Sequence, residues 1–457
     1  MKQLIRLICI ATGLVLPAGA RIWTNTAGET FEAEVVWVNE DREVKLSTPD
    51  GQIQVLPFST FSEECEATLD DMLFRQIHGD PHPVSWQTMN ELFGMDIWKD
   101  VYLLDDRSGP AAERMKLEKE SETDFMSNYR IYPLGEENVL SEPVYTAVLY
   151  GGKETVTSLS FVFLNQGDIK LPKYMNKDFI EQMIEDIEAA GMRVHDVLEP
   201  VLGKPKRDTI GKSSMREKVW RWDWNDQAIL LSMQEGKYAM LRILPVELAD
   251  RSGKVEKIDS DELRERMQSC VEKRDNGDVV IKNIPMIDQG PKGYCSPATW
   301  ERYLRYLGIP VDMYVLANAG DTGIGGGTYT KDIIDATRSL LFTNGRDLDE
   351  VDDPLDIETV SEYIDLGMPI MWTYAASMRP FQEAINRHTA LRKGEEPEEE
   401  ENSSGGIGGH ICLIMGYNAE TDEIAISDSW GPDYTERWLP VYLAEDLPRS
   451  VTYVIKW

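Results

Sequence analysis

Hydrophobic and polar residues alternate in three short stretches near the start of the chain, within residues 21–64. The apolar positions of these stretches are Phe31, Ala33, Val35 and Trp37, then Val44 and Leu46, then Ile53, Val55 and Pro57. A period of two residues predicts strands with one buried face. Asp50-Gly51 stands between the second and third stretches, and this dipeptide favours a tight hairpin turn. We therefore predict a small all-β module over residues 21–64.

Residues 84–250 contain both helical and strand-like patterns. Apolar residues recur at helical spacing over residues 177–202. Strand-like runs lie on both sides of this helix, at residues 144–149, 159–164, 220–233 and 238–244. Trp220, Trp222 and Trp224 occupy alternate positions, so they should share one face and pack in a core. We predict an α+β domain over residues 84–250, which resembles no family.

A helical linker is predicted over residues 251–276, ahead of a C-terminal domain at residues 277–457. Asp259 and Glu262 form a variant of the capping box that begins many helices. The apolar face of this helix consists of Leu263, Met267, Cys270 and Val271. Cys270 is therefore predicted to be a buried packing residue.

An acidic stretch interrupts the C-terminal domain at residues 395–402. It contains a proline and is followed by serines and glycines. A segment with so little apolar surface to bury is predicted to form a mobile loop.

The first 20 residues have the pattern of an export signal. Lys2 and Arg6 supply positive charge, an apolar run extends to Leu16, and small residues occupy positions 18–20. The run is well short of the ~20 residues that a spanning helix needs. We expect a signal peptide at residues 1–20, export to the periplasm or the exterior, and a mature chain that begins at Arg21.

The charge of the chain excludes one class of function. It has 47 Lys and Arg against 80 Asp and Glu, a formal net charge of −33. Proteins that bind nucleic acid through phosphate contacts need a basic face, so no nucleic-acid partner is expected. Because 42% of the residues are hydrophobic, the chain can bury large cores, but it has no second long apolar run and no membrane span is expected.

The cysteines and histidines show no metal-binding pattern. The chain has no Cys-x-x-Cys and no His-Glu-x-x-His. Once the signal is removed, the remaining cysteines are Cys65, Cys270, Cys295 and Cys412. They lie too far apart for a small disulfide scaffold. No metal and no cofactor are expected.

Cys295 has the surroundings of a reactive thiol. It follows Gly293-Tyr294 and precedes Ser296-Pro297, where a helical pattern begins. The N–H groups and the dipole of a helix N-terminus favour a thiolate, which can attack a carbonyl carbon. Gln289, six residues earlier, can donate its amide to the developing oxyanion beside the Cys295 N–H. Cys412 and Cys65 are predicted to be packing residues.

His410 is the histidine best placed to act as the base. It follows Gly408-Gly409 at the start of an apolar strand-like run. A second such run leads to Asp428, whose carboxylate can orient the imidazole. Because an amide oxygen can also orient the ring, the pattern predicts that Asp428→Asn is tolerated better than Asp428→Ala. Trp430 is predicted to pack beside the site.

These motifs resemble the papain-like cysteine peptidases, and within them the peptidases that process double-glycine leader peptides and their exported relatives. The matching motifs are Gln289 to Cys295, Gly327-Thr328, Gly367-Met368-Pro369-Ile370, Gly409-His410, Gly416-Tyr417 and Asp428-Ser429-Trp430-Gly431. The resemblance implies a nucleophile at Cys295, a base at His410, an orienting acid at Asp428 and an oxyanion donor at Gln289. It also implies a peptide or protein substrate. Papain has Asn in place of Asp428, and the position after the nucleophile, usually Gly in the leader-processing group, is Ser296.

The first module also carries a resemblance. Its stretch from Arg21-Ile22-Trp23-Thr24 to Leu56-Pro57-Phe58 is similar to the SH3-like Sla homology domain one. That resemblance implies a protein or cell-surface partner. The expected fold class is α+β: a papain-like peptidase fold preceded by a small SH3-like barrel and an unassigned α+β domain.

Two other functions fit the same residues. A transglutaminase-type enzyme uses the same Cys, His, Asp order but transfers the acyl group to an amine. A papain-like domain without activity would serve as a binding module. The expected function is an exported cysteine peptidase that hydrolyses peptide bonds through a thioacyl-enzyme.

Overall fold

A computed structural model describes residues 21–78, 82–132, 138–234, 236–291, 293–397, 406–445 and 447–457. The signal peptide expected at residues 1–20 lies outside the described residues, as do residues 398–402 of the predicted acidic loop. The chain divides into two compact units, Met1–Pro83 and Val84–Trp457.

The first unit is an antiparallel meander followed by a helix. Its elements are β1 (Arg21–Thr24), β2 (Thr30–Val38), β3 (Glu43–Ser47), β4 (Ile53–Pro57) and α1 (Glu63–His78). The strands lie in the order β1-β2-β3-β4, so the alternating stretches predicted as strands are confirmed. Gly51 has a φ of +81° in the β3–β4 turn, a left-handed conformation that glycine adopts readily. Leu69 of α1 packs into the same core as Trp23, so the compact unit continues past residue 64.

The second unit begins with an eight-stranded antiparallel sheet in the order β11-β12-β13-β14-β10-β9-β6-β5. Its strands, with the small pair β7 and β8, are β5 (Glu118–Glu122), β6 (Ser127–Ile131), β7 (Asn138–Val139), β8 (Glu142–Pro143), β9 (Thr146–Gly151), β10 (Val156–Asn165), β11 (Lys206–Ile210), β12 (Glu217–Trp224), β13 (Gln227–Gln234) and β14 (Tyr238–Pro245). Its helices are α2 (Trp86–Phe93), α3 (Ser108–Arg114), α4 (Lys177–Leu202) and α5 (Val246–Asp250).

Most of the elements predicted in this region are present. α4 spans the predicted residues 177–202, and the Asn176 side chain caps it by accepting the Phe179 N–H. The predicted stretch 220–233 forms two strands joined by a turn at Asn225 and Asp226, both with positive φ. The three tryptophans of β12 are buried, as predicted.

The rest of the second unit is a second mixed α+β region. Its helices are α6 (Ser260–Ser269), α7 (Cys295–Tyr306), α8 (Met313–Ala319), α9 (Thr330–Thr343), α10 (Ile357–Ile364), α11 (Met378–Lys393) and α12 (Tyr442–Glu445). Its strands are β15 (Val271–Lys273), β16 (Asp278–Ile281), β17 (Asp347–Val351), β18 (Ile370–Ser377), β19 (Ile407–Asn418), β20 (Glu423–Ser427), β21 (Arg437–Pro440) and β22 (Val451–Lys456). The sheet order is β15-β16-β19-β18-β22-β17, with β20 paired to β19 and β21 paired to β20. Cys270 is buried at the end of α6, as predicted.

The eight-stranded sheet is buried on both faces. Along β9, Ala147 and Leu149 pack in the core that includes α4, whereas Val148 and Tyr150 pack in the core that includes α7. Alternate residues of a strand point to opposite faces, so one sheet separates the two cores. This two-sided burial explains why β9, TAVLYG, is a nearly continuous apolar run.

No helix within the described residues is long and apolar enough to cross a membrane. The helices and strands of both units give the chain a mixed α+β fold.

Candidate active site

Cys295 is the first residue of α7, as its sequence setting predicts. The preceding residue, Tyr294, occupies the N-cap position and makes no side-chain cap. Cys295 is half-buried, whereas Cys270 and Cys412 are buried. The unpaired N–H groups and positive dipole end of α7 lie at this thiol and favour its anionic form.

His410 lies next to Cys295 because β19 packs against α7. It is paired with Tyr374 across the β18–β19 ladder, and the Thr299 hydroxyl of α7 donates to the Ile411 carbonyl at 3.3 Å. The Cys295 thiol and the His410 imidazole interact electrostatically, because each shifts the pKa of the other toward its charged form. The thiol and the imidazole therefore act as a pair.

Asp428 follows β20 and completes the chain of contacts. Its Oδ1 lies 2.6 Å from Nε2 of His410. The Asp428 side chain is fully buried. The structure thus brings Cys295, His410 and Asp428 together in one cluster.

Two aromatic rings confine the imidazole. Trp430 is stacked on the His410 ring, with the ring centroids 4.6 Å apart and the planes at 28°. The Tyr374 ring meets the His410 ring edge-on, with the centroids 5.6 Å apart. These contacts leave the His410 side chain almost wholly buried and restrict its rotation. The prediction that Trp430 packs beside the site is confirmed.

The electrostatics of the three groups favour an ion pair. Burial raises the pKa of the Cys295 thiol, but the hydrogen bond and charge of His410 outweigh burial, and the pKa lies below its ordinary value. Burial lowers the pKa of His410, but the bonds and charges of Asp428 and Cys295 outweigh it and raise the pKa to about 9. Burial raises the pKa of Asp428, but His410 and Arg437 reverse the shift, so its pKa lies below the usual range. The three groups thus stabilise one another's charged forms, which favours a thiolate beside an imidazolium.

Gln289 lies on a loop that is tied to the acid-bearing segment. Its backbone N–H donates to the Ser429 carbonyl at 2.8 Å, one residue after Asp428. The Gln289 side chain is 9% exposed. Gly290 has a φ of +71°, and a Cβ there would lie 3.3 Å from the Tyr132 ring, so both the conformation and the space favour glycine.

A glycine-rich loop lies against the residues that precede Cys295. Gly326 forms a parallel bridge with Gly293, and the Gly327 N–H donates to the Gly293 carbonyl at 2.9 Å. A Cβ at Gly326 would lie 2.8 Å from the Gly293 nitrogen, which is too close for any side chain. Glycine therefore allows two backbones to approach beside the thiol.

Two buried arginines near the site are not apparent from the sequence motifs. Arg437 on β21 donates through Nη2 to Oδ2 of Asp428. Arg302 on α7 donates through Nη1 to the Ser427 carbonyl at 3.1 Å. The register that pairs Arg437 with Ile426 of β20 places the guanidinium beside the acid. No local pattern around either arginine signals these contacts.

The described residues, those of this site included, contain no group of three or more His, Cys, Asp or Glu that could hold a metal ion. Cys65, Cys270, Cys295 and Cys412 are free thiols. Cys412 is fully buried, and burial raises its pKa well above the ordinary value. The four thiols thus have very different environments.

Comparison with known proteins finds a family model and solved structures that the chain resembles. Residues 281–446 match the Peptidase_C39 like family. Among solved structures, the chain is similar to xylellain, a cysteine protease from Xylella fastidiosa, with 13% sequence identity and a TM-score of 0.26. That similarity covers 42% of this chain and 88% of xylellain. No curated protein matches the chain. The family match supports a papain-like cysteine peptidase domain in the C-terminal part of the chain.

The thiol environments predict an order of alkylation. Iodoacetamide near neutral pH should label Cys295 before Cys65, Cys270 or Cys412, because the Cys295 thiolate is stabilised. Mass spectrometry of peptides after short exposures measures the modified fraction at each cysteine. Faster modification of any of the other three would contradict the assignment of Cys295 as the reactive thiol.

The pKa shifts also predict a pH profile for any reaction that uses the ion pair. Reactivity should rise with pH as Cys295 ionises, at a pH below that of an ordinary thiol. It should fall again near pH 9, where His410 loses its proton. Removing Asp428 takes away a charge that raises the pKa of His410, so the alkaline limb should move to lower pH. Measuring kcat/KM of the wild type and of Asp428→Ala from pH 4 to 10 tests this prediction. An alkaline limb at the same pH in both proteins would contradict it.

Proposed function

We propose that this chain is an exported cysteine peptidase that hydrolyses peptide bonds through a thioacyl-enzyme on Cys295. The observation that carries the proposal is the cluster of Cys295, His410 and Asp428, in which the imidazole is hydrogen-bonded to Asp428 and lowers the pKa of a thiol that lies at a helix N-terminus. In this arrangement a thiolate is available without a separate activation step. The match to the Peptidase_C39 like family supports the same chemistry.

In the first half of the proposed reaction, the Cys295 thiolate attacks the carbonyl carbon of the scissile peptide bond. The carbonyl oxygen becomes an oxyanion that accepts hydrogen bonds from the Cys295 N–H and the Gln289 amide. His410 gives its proton to the leaving amine, the C–N bond breaks, and a thioester to Cys295 remains.

In the second half, the neutral imidazole takes a proton from a water molecule. The resulting hydroxide attacks the thioester carbon, the C–S bond breaks, and the carboxyl product leaves. Cys295 departs as a thiolate and His410 is again an imidazolium. Asp428 keeps the ring oriented through both halves and stabilises its positive charge.

Two further parts of the proposal concern location and partners. The charge and apolar pattern of residues 1–20 support export and removal of a signal, which N-terminal sequencing of protein from the outer compartments can test. A mature chain that begins at Met1 would contradict it. The alternating strands of the first unit resemble an SH3-like barrel, and we assign it a protein or cell-surface partner.

A peptide library tests the proposed activity against its alternatives. Purified wild type and Cys295→Ala are incubated with the library, with and without added primary amines, and the products are read by mass spectrometry. We expect cleavage by the wild type alone. Amine adducts or cross-links instead of cleavages would identify acyl transfer, and a wild type as inactive as Cys295→Ala would identify a binding module.

A further inference from the structure

The loop that carries Gln289 is hydrogen-bonded to β5 and β6, at one edge of the eight-stranded antiparallel sheet. The Met286 N–H donates to the Ser121 hydroxyl at 2.9 Å, and the Met286 carbonyl accepts from the Asn128 side chain at 3.0 Å. Ser121 lies on β5 and Asn128 on β6. Both backbone groups of Met286 therefore bond to residues more than 150 positions earlier in the chain.

The next contact on this loop is made by a buried ion pair. Oε1 of Glu120 accepts the Asp288 N–H at 2.5 Å and also accepts from Nε of Arg130 at 3.0 Å. The side chains of Glu120 and Arg130 are 5% and 2% exposed. A buried carboxylate needs several donors, and here one of them is the backbone N–H of the residue before Gln289.

The third contact comes from Tyr132, directly after β6. Its hydroxyl donates to the Asp288 carbonyl at 3.0 Å, and its ring lies against Gly290. The residue before Gln289 thus has both of its backbone groups fixed, and the residue after it packs on an aromatic ring. On the other side, the Gln289 N–H is fixed by the Ser429 carbonyl.

We propose that β5 and β6 of residues 84–250 position the oxyanion donor of the peptidase, with Ser121 and Tyr132 as positioning residues. This inference rests on the proposed function and on the donor role of Gln289. A donor stabilises an oxyanion only when it is aimed at the place where the charge develops, and small misplacements of such groups are costly. The described contacts fix the loop at residues 286, 288 and 290. The first α+β region therefore contributes to catalysis by positioning the oxyanion donor.

Two mild substitutions test the inference. Ser121→Ala removes the acceptor of the Met286 N–H, and Tyr132→Phe removes the donor to the Asp288 carbonyl while it keeps the ring beside Gly290. Tyr129→Phe is the matched control, because Tyr129 lies on β6 three residues before Tyr132 and packs in the opposite core. The single variants, the double variant and the control are compared with the wild type.

Three readouts separate a positioning role from a general loss of structure. The first is the separate measurement of kcat and KM on a peptide that the wild type cleaves. The second is the rate at which iodoacetamide labels Cys295, which depends on the ion pair and not on Gln289. The third is hydrogen–deuterium exchange of peptides that cover residues 284–290.

We expect the double variant to lose about 10-fold in kcat, less than the ~10²-fold loss for a missing oxyanion donor. KM and the labelling rate of Cys295 should stay at their wild-type values, and exchange over residues 284–290 should accelerate. The Tyr129→Phe control should match the wild type in all three readouts. An unchanged kcat, or an unchanged exchange rate, in the double variant would overturn the inference. A wild type that cleaves no peptide would instead overturn the proposed function.

Discussion

Asp428→Ala is expected to lower kcat/KM by at least ~10²-fold, the scale for a mispositioned catalytic group. The Asp428 carboxylate contacts His410 through one oxygen and Arg437 through the other. Alanine therefore frees the imidazole and also leaves a buried guanidinium without its anion. The second effect should reduce the free energy of unfolding by about 3–5 kcal/mol, the usual loss when one partner of a buried ion pair is removed.

The role of Arg437 changes the expectation for the amide variant. The sequence pattern alone predicts that Asp428→Asn is well tolerated, since an amide oxygen can accept from His410. The structure places Arg437 beside the other oxygen, where the amide of Asn would present a second donor. Asp428→Asn should therefore keep much of the activity at low temperature but lose stability.

A double variant separates the loss of activity from the loss of stability. Asp428→Asn combined with Arg437→Met removes the buried cation together with the anion, so its thermal unfolding temperature should rise above that of Asp428→Asn alone. The control is Asp433→Ala, which changes an exposed residue on the connection between β20 and β21. It should leave both kcat/KM and the thermal unfolding temperature unaltered. Equal kcat/KM for wild type and Asp428→Ala would show that Asp428 is not part of the catalytic group.

Gln289→Ala is expected to lower kcat by ~10²-fold, the loss measured for removal of one oxyanion donor. The Cys295 and His410 pair does not depend on the Gln289 side chain, so iodoacetamide should label Cys295 at the wild-type rate. Loss of turnover with retained labelling identifies a group that acts on the transition state and not on the thiolate.

The control for this variant is Gln268→Ala, the same change at an exposed position on α6. It should leave turnover unaltered. If Gln289→Ala turns over substrate as fast as Gln268→Ala does, a different donor stabilises the oxyanion. The adjoining backbone groups of the helix N-terminus would then be the first candidates.

The sequence predicts the parts of the site that have local signals. Cys295 stands at a helix start, His410 follows two glycines near the start of an apolar strand, and Asp428 directly follows the next strand. Arg437 lacks such a signal, since only the register of β20 and β21 brings it to Asp428. A charged residue in a short strand is ordinarily solvent-exposed, so its burial depends on tertiary contacts that periodicity does not contain.

The elements of the fold are likewise predictable only where the sequence carries a local pattern. α4 and the apolar strands of the first α+β region have strong periodicity, and the sequence predicts them with small errors at their ends. β5, with the sequence EKESE, has no hydrophobic pattern at all. It forms a strand because it pairs with β6, and the buried pair of Glu120 and Arg130 joins it to a loop far along the chain. Packing between distant segments overrides such weak local preference.

The central claim is that a thioester forms on Cys295 during peptide hydrolysis, and its most direct test is the mass of the enzyme during turnover. Wild type and Cys295→Ala are mixed with a peptide ester, quenched in acid within milliseconds to seconds, and measured intact and after digestion. We expect the wild type to gain the mass of one acyl group, located at Cys295, and to lose it as product accumulates. Cys295→Ala should gain nothing. Product formation by the wild type with the acyl group on another residue, or with Cys295→Ala equally active, would contradict the account.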